Sequence, residues 1–217
     1  MIDIKTREEI EIMAHGGHIL SEVLWEVLGN AKPGVSEIEL DKLAEELILK
    51  KGGEVGFKKV DNSPNAICVS TNDVVVHGLP TEYILKEGDV LGIDCGVFYK
   101  GFHTDMAQTI RVGDSKDEKI DKFLEVGERA MFEGIKAAKA GNRVGHISKV
   151  VQDIVEKEAG YSIVRTLVGH GVGRELHENR LRDCLSVAVQ FPPTKTHRNP
   201  EFADRISQGP TGVCRPH

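Results

Sequence analysis

A chain of 217 residues has the length for one or two domains and a sizeable core. Its 28 basic residues against 34 acidic ones, a net charge of −6, give no electrostatic footing for nucleic acid as the main partner. No apolar run of about 18 residues is present to span a membrane, the charged opening MIDIKTREEIEIM lacks the apolar centre of a secretory signal, and Cys68, Cys95, Cys184 and Cys214 form no CxxC pair, so they read as reduced cytosolic thiols.

Thr6, with Glu9 three residues on, predicts a capped helix from Arg7, and Ile10, Met13, Ala14, Gly17, Leu20, Leu24 and Leu28 recur at helical spacing. His15 and His18 lie on it and read as surface histidines. Pro33-Gly34 breaks the chain. Ser36 with Glu39 opens a second helix, striped by Ile38, Leu43, Leu47 and Ile48 and stopped at Gly52-Gly53. Short strands are predicted at 66–69 and 74–76. Val90 to Val112, VLGIDCGVFYKGFHTDMAQTIRV, then reads as two strands around a turn at Tyr99-Lys100-Gly101. With Tyr99 and Lys100 as a two-residue loop, Val97 faces Phe102 and Asp94 faces Asp105. Carboxylates directly opposed on antiparallel strands, about 5 Å apart at Cβ, share a proton or bind metal; the plainer alternative is two aspartates facing solvent.

The second half repeats the order. Ser115 to Glu118 has capping-box spacing before a stripe of Ile120, Phe123, Leu124, Gly127, Ala130, Met131, Ile135 and Ala138. A further helix through Ile147 to Val155 ends at Gly160, and a strand is expected over 161–168. Helix, helix, strands, and again helix, helix, strand, is a duplication of pattern. Three histidines then stand out. His170 sits between glycines in VGHGVGR, where the backbone can approach a ligand closely and imidazole suits a borderline divalent metal; a plain glycine-rich turn is the other reading. His177 follows seven residues later, and His77 lies in VVVHGLP where an apolar stretch meets a turn; each, taken alone, also reads as a structural histidine.

In this order VVVHGLP, the aspartates of IDCG and HTDMA, and VGHGVGRELHE resemble the methionine aminopeptidases, the short type without an insert in the second half, over residues 1–179. The resemblance implies an α+β pita-bread fold of two pseudo-symmetric halves, about 1–112 and 113–179, with a two-metal site between them. It implies Asp94, Asp105 and His170 as metal ligands, Asp105 bridging two ions (cobalt, manganese, iron or zinc). His77 and His177 would contact the scissile peptide, and Cys68 and Leu176 would lie at the methionine pocket. The substrate implied is the N-terminal methionine of nascent polypeptides, met in the cytoplasm with the ribosome as an implied partner, and with no membrane or nucleic-acid partner. The family also takes two glutamates from IEP-type and FEHT-type motifs, and neither string occurs here. Residues 180–217 hold five of the eight prolines and read as an irregular tail outside the family pattern. That places an incomplete second half in the fold, a bare strand edge over 163–168, a weakly held second ion and doubtful turnover by this chain. Two alternatives stay beside the peptidase reading: a non-catalytic binding module of the same fold, and an Xaa-Pro peptidase.

Overall fold

The helix starts are set by local chemistry. In the computed structural model, which describes residues 3–60, 63–165, 167–178 and 189–190, helix α1 (Arg7–Asn30) begins with a reciprocal cap. Thr6 Oγ1 accepts from Glu9 N at 3.3 Å and Glu9 Oε2 accepts from Thr6 N at 2.8 Å. Helix α2 (Glu37–Lys50) repeats the device with Ser36 and Glu39. Helix α3 (Glu118–Ala137) does not: Asp117, two residues beyond the expected serine, caps it by accepting from Lys119 N and Ile120 N. Ser115 is engaged elsewhere, its amide donating to Glu87 Oε1 at 2.5 Å, and a carboxylate is the better acceptor at the positive end of a helix.

The described residues fall into two compact units. The first takes the chain as far as Lys116 and also the stretch from His170 to 178; the second takes Asp117–Gly169 and the 189–190 pair. In the first unit, β3 (Val90–Tyr99) is the centre of an antiparallel sheet. Strand β4 (Phe102–Arg111) runs along one edge of it. On the other edge β1 (Glu54–Val55) lies against Val97 and Phe98, and β2 (Ile67–Thr71) against Leu91 to Cys95. Alternation along β3 then separates two faces. Leu91, Ile93, Cys95 and Val97 are fully buried and join Leu20, Val23, Leu24 and Val27 of α1 and Leu40, Ala44 and Ile48 of α2 in one core. Gly92, Asp94, Gly96 and Phe98 point to the opposite face. The 74–76 stretch makes no strand, and the strand expected at 66–69 runs a little later, as β2.

Two acidic side chains of α2, Glu37 and Asp41, are buried. Asp41 accepts from Ala66 N (2.7 Å), Ile67 N (3.1 Å) and Asn65 Nδ2 (2.8 Å), anchoring the start of β2. Glu37 accepts from Thr71 Oγ1 (2.6 Å) at the end of β2 and from Thr81 Oγ1 (2.7 Å) and Thr81 N (3.0 Å) beyond the next loop. Asp41→Asn keeps the shape but sets an amide NH2 among donors, so urea unfolding is expected to show a loss of about 1–2 kcal/mol.

In the second unit, α3 and α4 (Val144–Gln152) pack around Val126, Ala130, Val151 and Val155. Helix α4 continues into a wider turn over Asp153–Glu158, where Ala159 N reaches back five residues to Ile154 O at 3.1 Å. The strand expected over 161–168 is reduced to β5 (Ser162–Ile163), and at Ser162 and Ile163 one edge of it is paired, antiparallel with β6 (Val189–Gln190). The rest of the expected tail lies outside the described residues. Among the described residues no helix is long and apolar enough to cross a membrane.

Candidate metal centre

The hairpin turn is Lys100-Gly101, one residue later than expected, with both residues at positive φ (46° and 91°), the mark of the mirror-image two-residue turns that match strand twist. Tyr99 therefore pairs with Phe102, Asp94 with Ala107 and Asp105 with Gly96. The two aspartates are not directly opposed, as the earlier register had them. They are diagonal neighbours on the same face, and the residue opposite Asp105 has no side chain to separate them. A Cβ at Gly96 would lie 2.7 Å from the Phe57 ring, so glycine there is also required by packing.

The electrostatics follow from that placement. Burial first, then the charge of Asp105 and a hydrogen bond with it, hold the Asp94 carboxyl well above the ordinary aspartate range; the Cys95 amide opposes them. Asp105 is also raised by burial, against the pull of His170 and Asp94, and of His177 and His77 beyond them. Its Oδ1 is buried without a hydrogen-bond partner. His170 Nε2 stands 3.5 Å from Asp105 Oδ2. The His170 and His177 rings meet edge to face at 4.6 Å.

His77 is half-buried and sits at φ 57°, a conformation that costs a non-glycine residue about 1–2 kcal/mol. The loop that bears it is fixed at both ends, by Glu37 on Thr71 and Thr81 and by Val69 N donating to Gly78 O at 2.8 Å. Burial lowers the His77 imidazole, with Asp105 opposing and His170 adding to the effect, so its ring is held neutral. Cys68 faces Asp94 across the β2–β3 pair, on the same face of the sheet. Leu176 is buried in the loop between the two other histidines. Cys95, on the core face, has a thiol pushed far up by burial and is not part of the site. Glu37 is the residue that reading the sequence missed. Its only local signal was an acid directly after a capping serine.

Among the described residues, no three His, Cys, Asp or Glu side chains close tightly enough to hold an ion by themselves. The donor set nevertheless fits a divalent cation. Two half-buried carboxyls that oppose each other's charge, one orphaned carboxylate oxygen and an adjacent imidazole are stabilised together by a positive ion, and oxygen and nitrogen donors suit first-row divalent metals.

A model of metallopeptidase family M24 matches residues 11–199. The chain is 42% identical to the methionine aminopeptidase of Clostridium perfringens over 179 residues, 82% of this chain and 71% of that one, and equally to methionine aminopeptidase 1 of Bacillus subtilis. Among solved structures it resembles the methionine aminopeptidase of Thermotoga maritima, with a TM-score of 0.80 at 37% identity over 86% of this chain and 75% of that one. The prolidase of Pyrococcus furiosus matches with a TM-score of 0.71 at 26% identity, over 87% of this chain and 54% of that one.

Proposed function

We propose that this chain, which belongs to metallopeptidase family M24 with its pita-bread fold, is a metalloaminopeptidase that releases methionine from the N-terminus of peptides and nascent proteins. The family implies divalent metal ions. Asp94, Asp105 and His170 are the residues proposed to hold them, and the observation that carries this is the buried, unpartnered Asp105 oxygen beside Asp94 and His170. When bound, such ions (cobalt, manganese, iron or zinc, two per chain, the second held more weakly) supply the Lewis acidity for peptide hydrolysis.

The protein's own groups do the rest. The neutral His77 ring has an N–H to offer the oxygen of the first peptide bond, and its pinned loop spends no ordering entropy when substrate arrives. His177, whose ring meets that of His170, contacts the same peptide. Cys68 and Leu176 give the methionine side chain a soft, apolar wall. We place this activity in the cytoplasm, on chains emerging from the ribosome. The higher identity to the methionine enzymes than to the prolidase favours methionine over proline as the recognised residue.

The purified chain, supplied with manganese, cobalt or iron(II), is expected to release methionine from Met-Ala-Ser and to leave Ala-Pro-Ser intact. No release from folded, metal-loaded protein would favour the binding-module alternative, and cleavage of the proline peptide would make it an Xaa-Pro peptidase.

A further inference from the structure

The loop bearing His170 and His177 is a clip closed on itself. Gly171 and Glu178 exchange both backbone hydrogen bonds, Gly171 N donating at 3.1 Å and Glu178 N at 2.9 Å. The clip is tied to β4 by His103 N, which donates to Gly173 O at 2.6 Å. The Glu178 carboxylate folds back into the turn, where its Oε1 accepts from Arg174 N at 2.8 Å. Space for it exists because residue 173 is glycine: a Cβ there would stand 2.2 Å from that oxygen.

The other carboxylate oxygen accepts from Lys5 Nζ at 2.6 Å. The Lys5 and Glu178 side chains are only 11% and 17% exposed, so this pair is shielded. Arg174, which reaches Glu9 and Asp3 from the same clip, is 56% exposed, and ion pairs in that much water contribute little. Lys5 is also the better fulcrum. It directly precedes Thr6, whose reciprocal cap fixes the start of α1, and α1 packs in the core with β3. The ammonium is thus referenced to the element that positions Asp94, while its partner Glu178 directly follows His177.

We propose that Lys5 is a positioning residue for the site: through Glu178 it holds the clip in the register that sets His170 beside Asp105 and His177 against His170. The inference rests on the roles proposed above for those histidines. Without the ammonium, the carboxylate lacks one of its two donors in a sheltered place and turns out toward water. That frees Arg174 N, opens the Gly171–Glu178 bridge and lets both rings drift from Asp105.

The test uses the full chain with Lys5→Met, which keeps most of the aliphatic stem and removes the charge, and Lys5→Arg, which restores it. In metal-free protein, Lys5→Met is expected to speed amide exchange at Gly171 and Glu178 about tenfold or more. It should shift the ring NMR signals of His170 and His177 while those of His15 and His18, and protection along β3, stay put. Lys5→Arg should match the parent chain. Unchanged exchange and ring signals in Lys5→Met would overturn the proposal, as would loss of protection that extends through β3. A cobalt(II) titration separates this from the metal reading. Affinity is expected to fall about tenfold in Lys5→Met, and further in His170→Ala. A parent chain that binds no cobalt, or a His170→Ala chain that binds it as well, sinks the metal assignment, while the exchange and ring data still decide the role of Lys5.

Discussion

Asp105→Ala is expected to abolish methionine release and to weaken cobalt(II) binding by more than about 100-fold, the upper range seen when only a supporting residue of a metal ligand is lost. The same substitution should leave the metal-free protein at least as stable as the parent near neutral pH. The reason is the mutual cost of the two carboxyls. Asp94 and Asp105 both hold protons more tightly in the folded chain than at the ordinary aspartate value of 3.8. The native state therefore binds more protons than the unfolded chain between that value and the raised ones. The pair's contribution to stability is fully present below the unfolded value and is lost as pH rises through the folded ones. Metal-free parent protein should accordingly lose thermal stability from about pH 4 upward on account of this pair, and Asp105→Ala should flatten that part of the profile. A variant that loses metal binding and stability together at pH 7 would mean that Asp105 is a structural residue, contrary to the role proposed for it.

Gly78→Ala is expected to cost about 3 kcal/mol or more in urea unfolding, well above the usual penalty for one added methyl group. The new Cβ would lie 2.1 Å from the Val69 carbonyl oxygen and 2.9 Å from Val74 Cγ1. The first obstacle is backbone of a paired strand and cannot rotate away, so the loop must lift and the bond from Val69 N to Gly78 O must break. His77 is the adjacent residue, already at positive φ, and it moves with the loop. The His77 ring signals should shift along with the stability. A change below about 0.5 kcal/mol, the range of neutral surface substitutions, would show that the loop has slack.

Those two sites differ in how far they could be read from the sequence. The caps at Thr6 and Ser36 were legible because a serine or threonine with glutamate three residues on is a local signal, and nothing distant competes with it. Ser115 had the same spacing and lost, because Glu87 claims its amide and Asp117 offers a stronger acceptor. The hairpin was legible and its register was not. Propensity assigns positive φ to Gly101 readily but not to Lys100, and a shift of one residue in the turn moves each partner across the strand by two. The shift left both aspartates on one face. Val74 to Val76 are β-branched yet unpaired, since the chain there leaves the sheet to deliver His77; tertiary context outweighed propensity. The union of the clip with Lys5 spans 173 residues and has no local signature at all.

The Lys100-Gly101 turn also bears on the order in which the chain assembles. It joins Asp94 to Asp105 across eleven positions, so their strands can meet on the microsecond scale of hairpin formation. His170 is 65 positions further along and must be brought back by closing a long loop. On a chain made from the N-terminus onward, the acidic half of the site is therefore complete while the segment carrying its imidazole is still to be synthesised. During that interval only a proton or a cation from solution can offset the two charges, so the hairpin is a point of competition between acid and metal before the peptidase exists as a whole.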